Sequence, residues 1–350
     1  MSVLVVGTGL IGTSIALGLT AQGQKVFLAD IDSSALDSAV KVSGAPAYQD
    51  QDISLVVVAT PPANVAKVIF DCAAKHPAAV LTDVASVKVS IFTELKKLGF
   101  THWDRLVGGH PMAGREISGA QGAQGNLFLD RAWVLTSGPE TTDDAGSLVR
   151  QLVESLGAFV ILRTNEEHDQ AVALISHTPQ VVASVLAGEL LDADISQIEL
   201  AGQGIRDTIR IAGSDAHLWT DILSENANYI ATRVTNVANS LLDFAAALTA
   251  GEDAKVTAKL VRGAQGRDRL PGKHGVANQN TTTIAVRLDD KPGELARVFT
   301  EAANAQVNLE DVRIDHSLGK PTGLVELTVS SGAKPTLLSI LERANFVVIG

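Results

Sequence analysis

The sequence predicts a three-part α/β protein: a doubly wound parallel sheet, then an all-helical segment, then a small ferredoxin-like βαββαβ domain. Three observations predict it. Up to about residue 160, short β-branched runs alternate with helical stretches. From there to about residue 262 strand signals vanish, and Ala- and Leu-rich stretches run at helical period. The remaining C-terminal residues regain strand patterning around two helical stretches. The expected division is 1–163 for the sheet domain, 164–265 for the helical domain, 266–280 for a linker and 281–350 for the last domain.

In the first part, strands are expected at 2–6, 25–29, 54–59, 79–83, 105–108, 132–136 and 158–162, each followed by a segment suited to a crossover helix. Helical periodicity then marks 168–190, 195–211 and 216–248. Gly263 to Asn280 is rich in glycine and charge and lacks an apolar period, which reads as a surface connector. Beyond it, TTTIAVRL, VNLEDVRID, GLVELTVS and NFVVIG read as strands, with GELARVFTEAANA and KPTLLSILERA as the helices between them.

Composition narrows the function. With 46% apolar and 19% charged residues in 350, the chain is globular and long enough for more than one core. A net charge of −11 without a basic patch opposes binding to nucleic acid or an anionic membrane. Cys72 is the sole cysteine, which excludes an internal disulfide, offers no thiol cluster for a metal and suits a reducing compartment. With no signal-peptide pattern and no apolar run near the roughly 20 residues of a membrane span, a cytoplasmic protein is expected.

The first strand leads directly into GTGLIG, Gly7-Thr8-Gly9-Leu10-Ile11-Gly12, and then into a helix, the setting in which a G-x-G-x-x-G pattern binds a dinucleotide in a Rossmann-type fold. Glycines there allow the tight turn, the close approach of a pyrophosphate and the packing of helix on sheet, while the helix N-terminus offers free amides. Asp30 ends the second strand 23 residues after Gly7, placed to accept hydrogen bonds from an adenosine ribose and to repel a 2′-phosphate. No basic residue follows in IDSSA, so NAD is expected over NADP, with FAD the weaker competitor. Thr60 and Pro61 end the third strand and open a crevice where a nicotinamide can lie.

A chemical site is expected beside that crevice. LTDVASVK places Ser86 and Lys88 beyond a strand end, and GGHPMAGREISG follows with His110 between glycines and before Pro111. An imidazole titrates near working pH and suits a base that takes a hydroxyl proton as hydride leaves the same carbon. Glu116 lies six residues on, either orienting a substrate or facing solvent. In the helical segment His177 and Gln180 share a face around Pro179, and Arg206 and Arg210 stand one turn apart with Asp207 between them to brace either guanidinium. His168, nine residues before His177, falls on the opposite side of a straight helix and reads as a helix-start residue outside the pocket.

Together GTGLIG, TDVASVK, GGHPMAGRE, SHTPQ and RDTIRIA resemble the prephenate dehydrogenase (TyrA) family across residues 1 to about 265. The resemblance implies NAD-dependent oxidative decarboxylation of prephenate to 4-hydroxyphenylpyruvate in tyrosine biosynthesis. His110 would accept the hydroxyl proton, Ser86 would hold that histidine and the hydroxyl, and Arg210 would bind a substrate carboxylate. His177, Gln180 and Glu116 would shape the pocket, and Arg206 and Asp207 would support Arg210. Gln180 stands where many relatives carry histidine, which leaves arogenate beside prephenate as substrate. The C-terminal DDKPGELARV and VNLEDVRI resemble an ACT domain, implying a tyrosine site around Asp290, Pro292, Gly293, Asn308 and Leu309. Apolar helices at 216–248 predict a homodimer.

Two other classes share parts of the pattern. A β-hydroxyacid dehydrogenase or a pyrroline carboxylate reductase has the same start but not GGHPMAGRE or the C-terminal unit. A non-catalytic sensor of redox state and an amino acid would have no use for both His110 and Arg210.

Overall fold

The computed structural model describes residues 1–114, 119–270, 281–289, 291–316 and 322–349. These form two compact units, Met1–Asn239 and Ser240–Gly350. The first begins β1 (Ser2–Val6), α1 (Leu10–Ala21), β2 (Lys25–Ala29), α2 (Ser33–Ser43), β3 (Leu55–Val58) and α3 (Pro62–Lys75). It continues through β4 (Val80–Asp83), α4 (Val89–Lys97), β5 (Leu106–Pro111), β6 (Ala132–Ser137), α5 (Asp143–Ser155) and β7 (Phe159–Arg163).

The seven strands order as β2-β1-β3-β4-β5-β6-β7. Both faces are covered, and the alternation shows it: Val3, Val5, Leu55 and Val57 enter one core with Ile15 and Leu19, whereas Leu4, Val56 and Val58 enter the other with Val65 and Ile69. Pairings are parallel except between β5 and β6, a departure from the all-parallel sheet expected. Its cause is local: among the described residues the connection holds only a 3-10 turn (Ala120–Gly122) and no crossover α-helix of the kind that joins parallel neighbours. Strand order reverses between β1 and β3, so the crevice at their carboxyl ends is the natural ligand site.

The helical segment runs α6 (Asn165–Val172), a π-helical turn (Ala173–His177), α7 (Thr178–Gly188), α8 (Ile195–Ile198), α9 (Gln203–Ile209), a 3-10 turn (Arg210–Gly213), α10 (Ala216–Glu225), α11 (Ala227–Thr249) and α12 (Asp253–Asp268). The π-turn has an identifiable cause. Pro179 has no N–H to give the preceding turn, and the Thr178 hydroxyl instead donates to the Ala173 carbonyl at 2.6 Å. α12 runs on through Gly263 and Gly266 to Asp268, where a connector was expected, because helix-favouring neighbours such as Ala264 and Gln265 outweigh about 1 kcal/mol per glycine. The run Asn165–Leu191 is also longer and more apolar than expected, enough by length and hydropathy to span a membrane. Buried, hydrogen-bonded His168, Asp169 and His177 within it argue for a helix packed in protein.

The second unit, after the end of α11 and α12, holds β8 (Thr281–Asp289), α13 (Glu294–Asn304), β9 (Asp311–His316), β10 (Thr322–Ser330), α14 (Lys334–Arg343) and β11 (Val347–Ile349). Its sheet is antiparallel throughout, in the order β11-β8-β10-β9. Ile284, Val286 and Leu288 alternate inward on β8 against Val325, Leu327 and Val329, and the helices close this core with Val298, Leu337 and Leu341.

Candidate active site

The turn after β1 has the shape a pyrophosphate needs. Gly7 sits at φ +100°, and a Cβ there would lie 2.5 Å from the Ala59 carbonyl oxygen; one on Gly12 would lie 2.0 Å from the Gly7 oxygen. Gly9, by contrast, faces open space and caps α1 without any side-chain bond to its amides. No acidic residue occupies the first turn of α1, so the positive end of that helix is free for an anion.

Asp30 faces the same turn. Its Oδ2 accepts from the Thr8 amide at 2.7 Å and the Thr8 hydroxyl at 2.8 Å, and Oδ1 accepts from the Asp32 amide at 3.0 Å. Burial pushes its pKa up, but the hydrogen bonds from Asp32, Thr8 and Ile31 overcome this and hold it below the usual 3.8. A carboxylate has about four acceptor sites, so this one keeps capacity for a ribose diol. Across the crevice at the end of β3, the Thr60 hydroxyl is buried without a hydrogen-bond partner among the described residues. Such an orphan costs about 1–3 kcal/mol, which a ligand amide can relieve. Exposed Pro61 caps α3 beside it. The cradle formed by Gly7 to Gly12, with Leu10 and Ile11 opening α1, therefore fits a dinucleotide.

The chemical half is assembled from distant segments. Half-buried His110 lies near the carboxyl end of β5, with Nδ1 2.8 Å from Nε2 of His168. His168 in turn places Nδ1 2.7 Å from Oδ1 of Asp169. Both His168 and Asp169 are 1% exposed. The Asp169 carboxylate accepts from the amides of Lys88 at 2.9 Å and Val89 at 2.8 Å, capping α4. Its backbone oxygen accepts from Asn226 Nδ2 at 3.0 Å, and that amide lies 3.1 Å from Nδ1 of His177. Edge-on against Trp219, His177 is also buried.

Below this chain lies an ion pair between Lys88 and Asp83, both side chains wholly buried. Asp83 also accepts from the amides of Ala85 at 2.8 Å and Gly109 at 3.3 Å, tying β5 next to His110 to the end of β4. Burial first, then the neighbouring His168, Lys88 and His177, hold the pKa of His110 well below 6.5. Burial likewise pulls His177 to about 4, a shift that Asp169 opposes and His168 reinforces. Both rings are neutral at physiological pH, and His110 is thereby ready to take a proton.

The expected residues fall into three groups. Gly7, Thr8, Gly9, Leu10, Ile11, Gly12, Asp30, Thr60 and Pro61 border one crevice. Gln180 is buried on α7 one turn from His177, and α7 packs against both α9 and the turn bearing Arg210. Arg206, Asp207 and Arg210 are exposed there, and the Asp207 carboxylate accepts from Gln203 Nε2 at 2.7 Å. Glu116 and Asp290 lie outside the described residues. In the second unit, Pro292 and Gly293 form the turn before α13, with Gly293 at φ +95°. Asn308 donates to Glu310 at 2.8 Å and Leu309 packs on the core, both just before β9.

Two expectations need correction. Nδ1 of His110 is engaged by His168, and half-buried Ser86 makes no described hydrogen bond to that ring. His168, placed outside the pocket on straight-helix geometry, bonds directly to His110; the π-turn between it and His177 changes the helical phase. Asp169, Asn226, Asp83 and Lys88 were given no role by sequence reasoning, although TDVASVK contains two of them.

A family model described as the prephenate dehydrogenase nucleotide-binding domain matches residues 15–162, and one described as the prephenate dehydrogenase dimerization domain matches 164–262. The chain belongs to the prephenate dehydrogenase family. A relative, the probable prephenate dehydrogenase NovF of Streptomyces niveus, is 34% identical over 357 residues and is matched over 98% of each chain. The solved Synechocystis arogenate dehydrogenase is 30% identical with a TM-score of 0.66, over 77% of this chain and 99% of that one. A prephenate dehydrogenase from A. aeolicus, solved with hydroxyphenyl propionate and NAD+, is 26% identical with a TM-score of 0.69, over 76% and 97%. Family and cradle agree: the chain is an NAD-dependent oxidoreductase.

Proposed function

We propose that the chain converts prephenate to 4-hydroxyphenylpyruvate and carbon dioxide, with His110 as the general base. The observation that carries this is the half-buried imidazole of His110 near the carboxyl end of β5, in the sheet that also bears the dinucleotide cradle. NAD, when bound, supplies the hydride acceptor. His110 takes the proton of the ring hydroxyl as hydride leaves the same carbon, the bond to the ring carboxylate breaks to release carbon dioxide, and the proton returns to the phenol oxygen. Aromatisation makes the sequence downhill. In this reading Ser86 holds the hydroxyl, and Arg210 grips a carboxylate in bidentate fashion with the support of Arg206 and Asp207. His177, Gln180 and Glu116 complete the substrate-binding set in this reading.

Gln180 supports a second reading, in which arogenate is accepted as well, since a neutral amide can face either a keto or an amino side chain. The second unit supports an ACT-type regulatory role, with tyrosine bound around Asp290, Pro292, Gly293, Asn308 and Leu309. Exposed Leu191, Leu200, Leu241 and Leu242 on the helical segment support a homodimer, and the lone Cys72 suits the cytoplasm. Initial rates of NADH formation with prephenate and with arogenate, each with and without tyrosine, test the substrate and regulatory readings, and light scattering tests the homodimer, which a monomer would contradict. Turnover of neither substrate would refute the enzymatic proposal, and rates indifferent to tyrosine the regulatory one.

A further inference from the structure

With His168 neutral, the hydrogen bonds around Asp169 fix the direction of every bond between it and His110. The amides of Lys88 and Val89 can only donate, and they occupy both oxygens of the Asp169 carboxylate at 2.9 and 2.8 Å. Their donation, together with the positive end of α4, favours the ionised carboxylate, which can only accept. The third partner, Nδ1 of His168 at 2.7 Å, therefore carries a hydrogen and donates it. A neutral ring with its hydrogen on Nδ1 has its lone pair on Nε2, the atom 2.8 Å from Nδ1 of His110. His110 must then donate from Nδ1, which leaves its own lone pair on Nε2. From this geometry we infer that His168 and Asp169 are positioning residues that hold His110 as the Nδ1–H tautomer and so make Nε2 the atom that accepts the substrate proton.

This deepens the proposed role of His110 and rests on that reading. An unconstrained neutral imidazole prefers its hydrogen on Nε2, the form with no lone pair to offer there, so the base depends on its partners for correct orientation. The supports are rigid. Thr164 and Glu167 form a reciprocal capping box that fixes the first turn of α6, and His168 and Asp169 follow it directly. When Nε2 takes the proton, the bond from Nδ1 to His168 keeps its direction, so no second proton has to move.

The direct test is the tautomer itself. Full-length enzyme labelled with 15N-histidine gives long-range proton–nitrogen correlations that separate protonated from bare ring nitrogens, with assignments from His110→Asn and His168→Gln. Both His110 and His168 should carry hydrogen on Nδ1 alone near neutral pH. A hydrogen on Nε2 of His110, or a doubly protonated His168, would overturn the inference. Kinetics give an independent reading: His168→Leu should lower kcat about a hundredfold while leaving NAD binding intact. His168→Gln, whose amide oxygen can accept the same N–H, should recover most of that loss. A wild-type kcat in His168→Leu would also overturn the inference. If His110→Asn retained full turnover while the spectra still showed the Nδ1 tautomer, it is the base assignment that would fail and the tautomer assignment that would stand.

Discussion

The two sides of the crevice are built in opposite ways. The cofactor side as proposed is a local object, a run of six residues whose backbone shape and free amides suit a dinucleotide, with one carboxylate from the next strand. The chemical side is a non-local object: His110 and His168 are 58 residues apart, Lys88 and Asp169 are 81 apart, and each depends on the other for its orientation. Binding of a common cofactor needs only a reproducible surface. Proton transfer needs one ring held at a defined angle and in one protonation state, which takes a buried network.

If that division is right, damage to one side should leave the other intact. His110→Ala should reduce kcat about a thousandfold, with the dissociation constant for NAD unchanged in fluorescence titration. A parallel loss of NAD binding would show the two sides to be one. Lys88→Met leaves Asp83 buried without its counter-charge and should lower unfolding stability by about 3–5 kcal/mol, read by denaturant titration. Asp30→Ala has the converse signature, weakening NAD roughly tenfold while kcat at saturation persists. A kcat loss equal to that of His110→Ala would break the comparison from the cofactor side.

The smallest effect expected is on pH dependence. In the proposed role His110 acts as a base only when neutral, and burial with His168, Lys88 and His177 around it lowers its pKa below 6.5. The acidic limb of kcat/KM should therefore stay flat as pH falls through 6.5 and drop only below it. Stability follows the same sign: His177 has a folded pKa of about 4 against 6.5 unfolded, so its contribution is complete above 6.5 and lost as pH falls toward 4. A limb centred at or above 6.5 would mean that the ring is more hydrated than its surroundings indicate.

The same contrast explains what could be read from residues alone. The tight glycine turn of GTGLIG and the position of Asp30 beside it were legible because both follow from spacing along the chain. The strands of the first sheet were legible because both faces are buried and their β-branched runs are nearly continuous. His110 was visible through its flanking glycines and Pro111. His168, Asp169 and Asn226 were not, since their roles arise from contacts across the fold and from a π-turn that a count at 3.6 residues per turn cannot register. The antiparallel β6 escaped for a related reason: strand direction is set by the length and shape of a connection, not by the strand's own residues. The continuation of α12 past Gly263 shows the converse, with tertiary and neighbouring helix preference prevailing over a local breaker.

The most direct test of the whole account is to mix the purified chain with NAD and prephenate and to measure NADH and carbon dioxide together. Equal amounts of the two products, formed by the wild type and nearly abolished in His110→Ala, are the predicted result. Tight NAD binding with no product from prephenate, or product formation untouched by loss of the His110 ring, would contradict it.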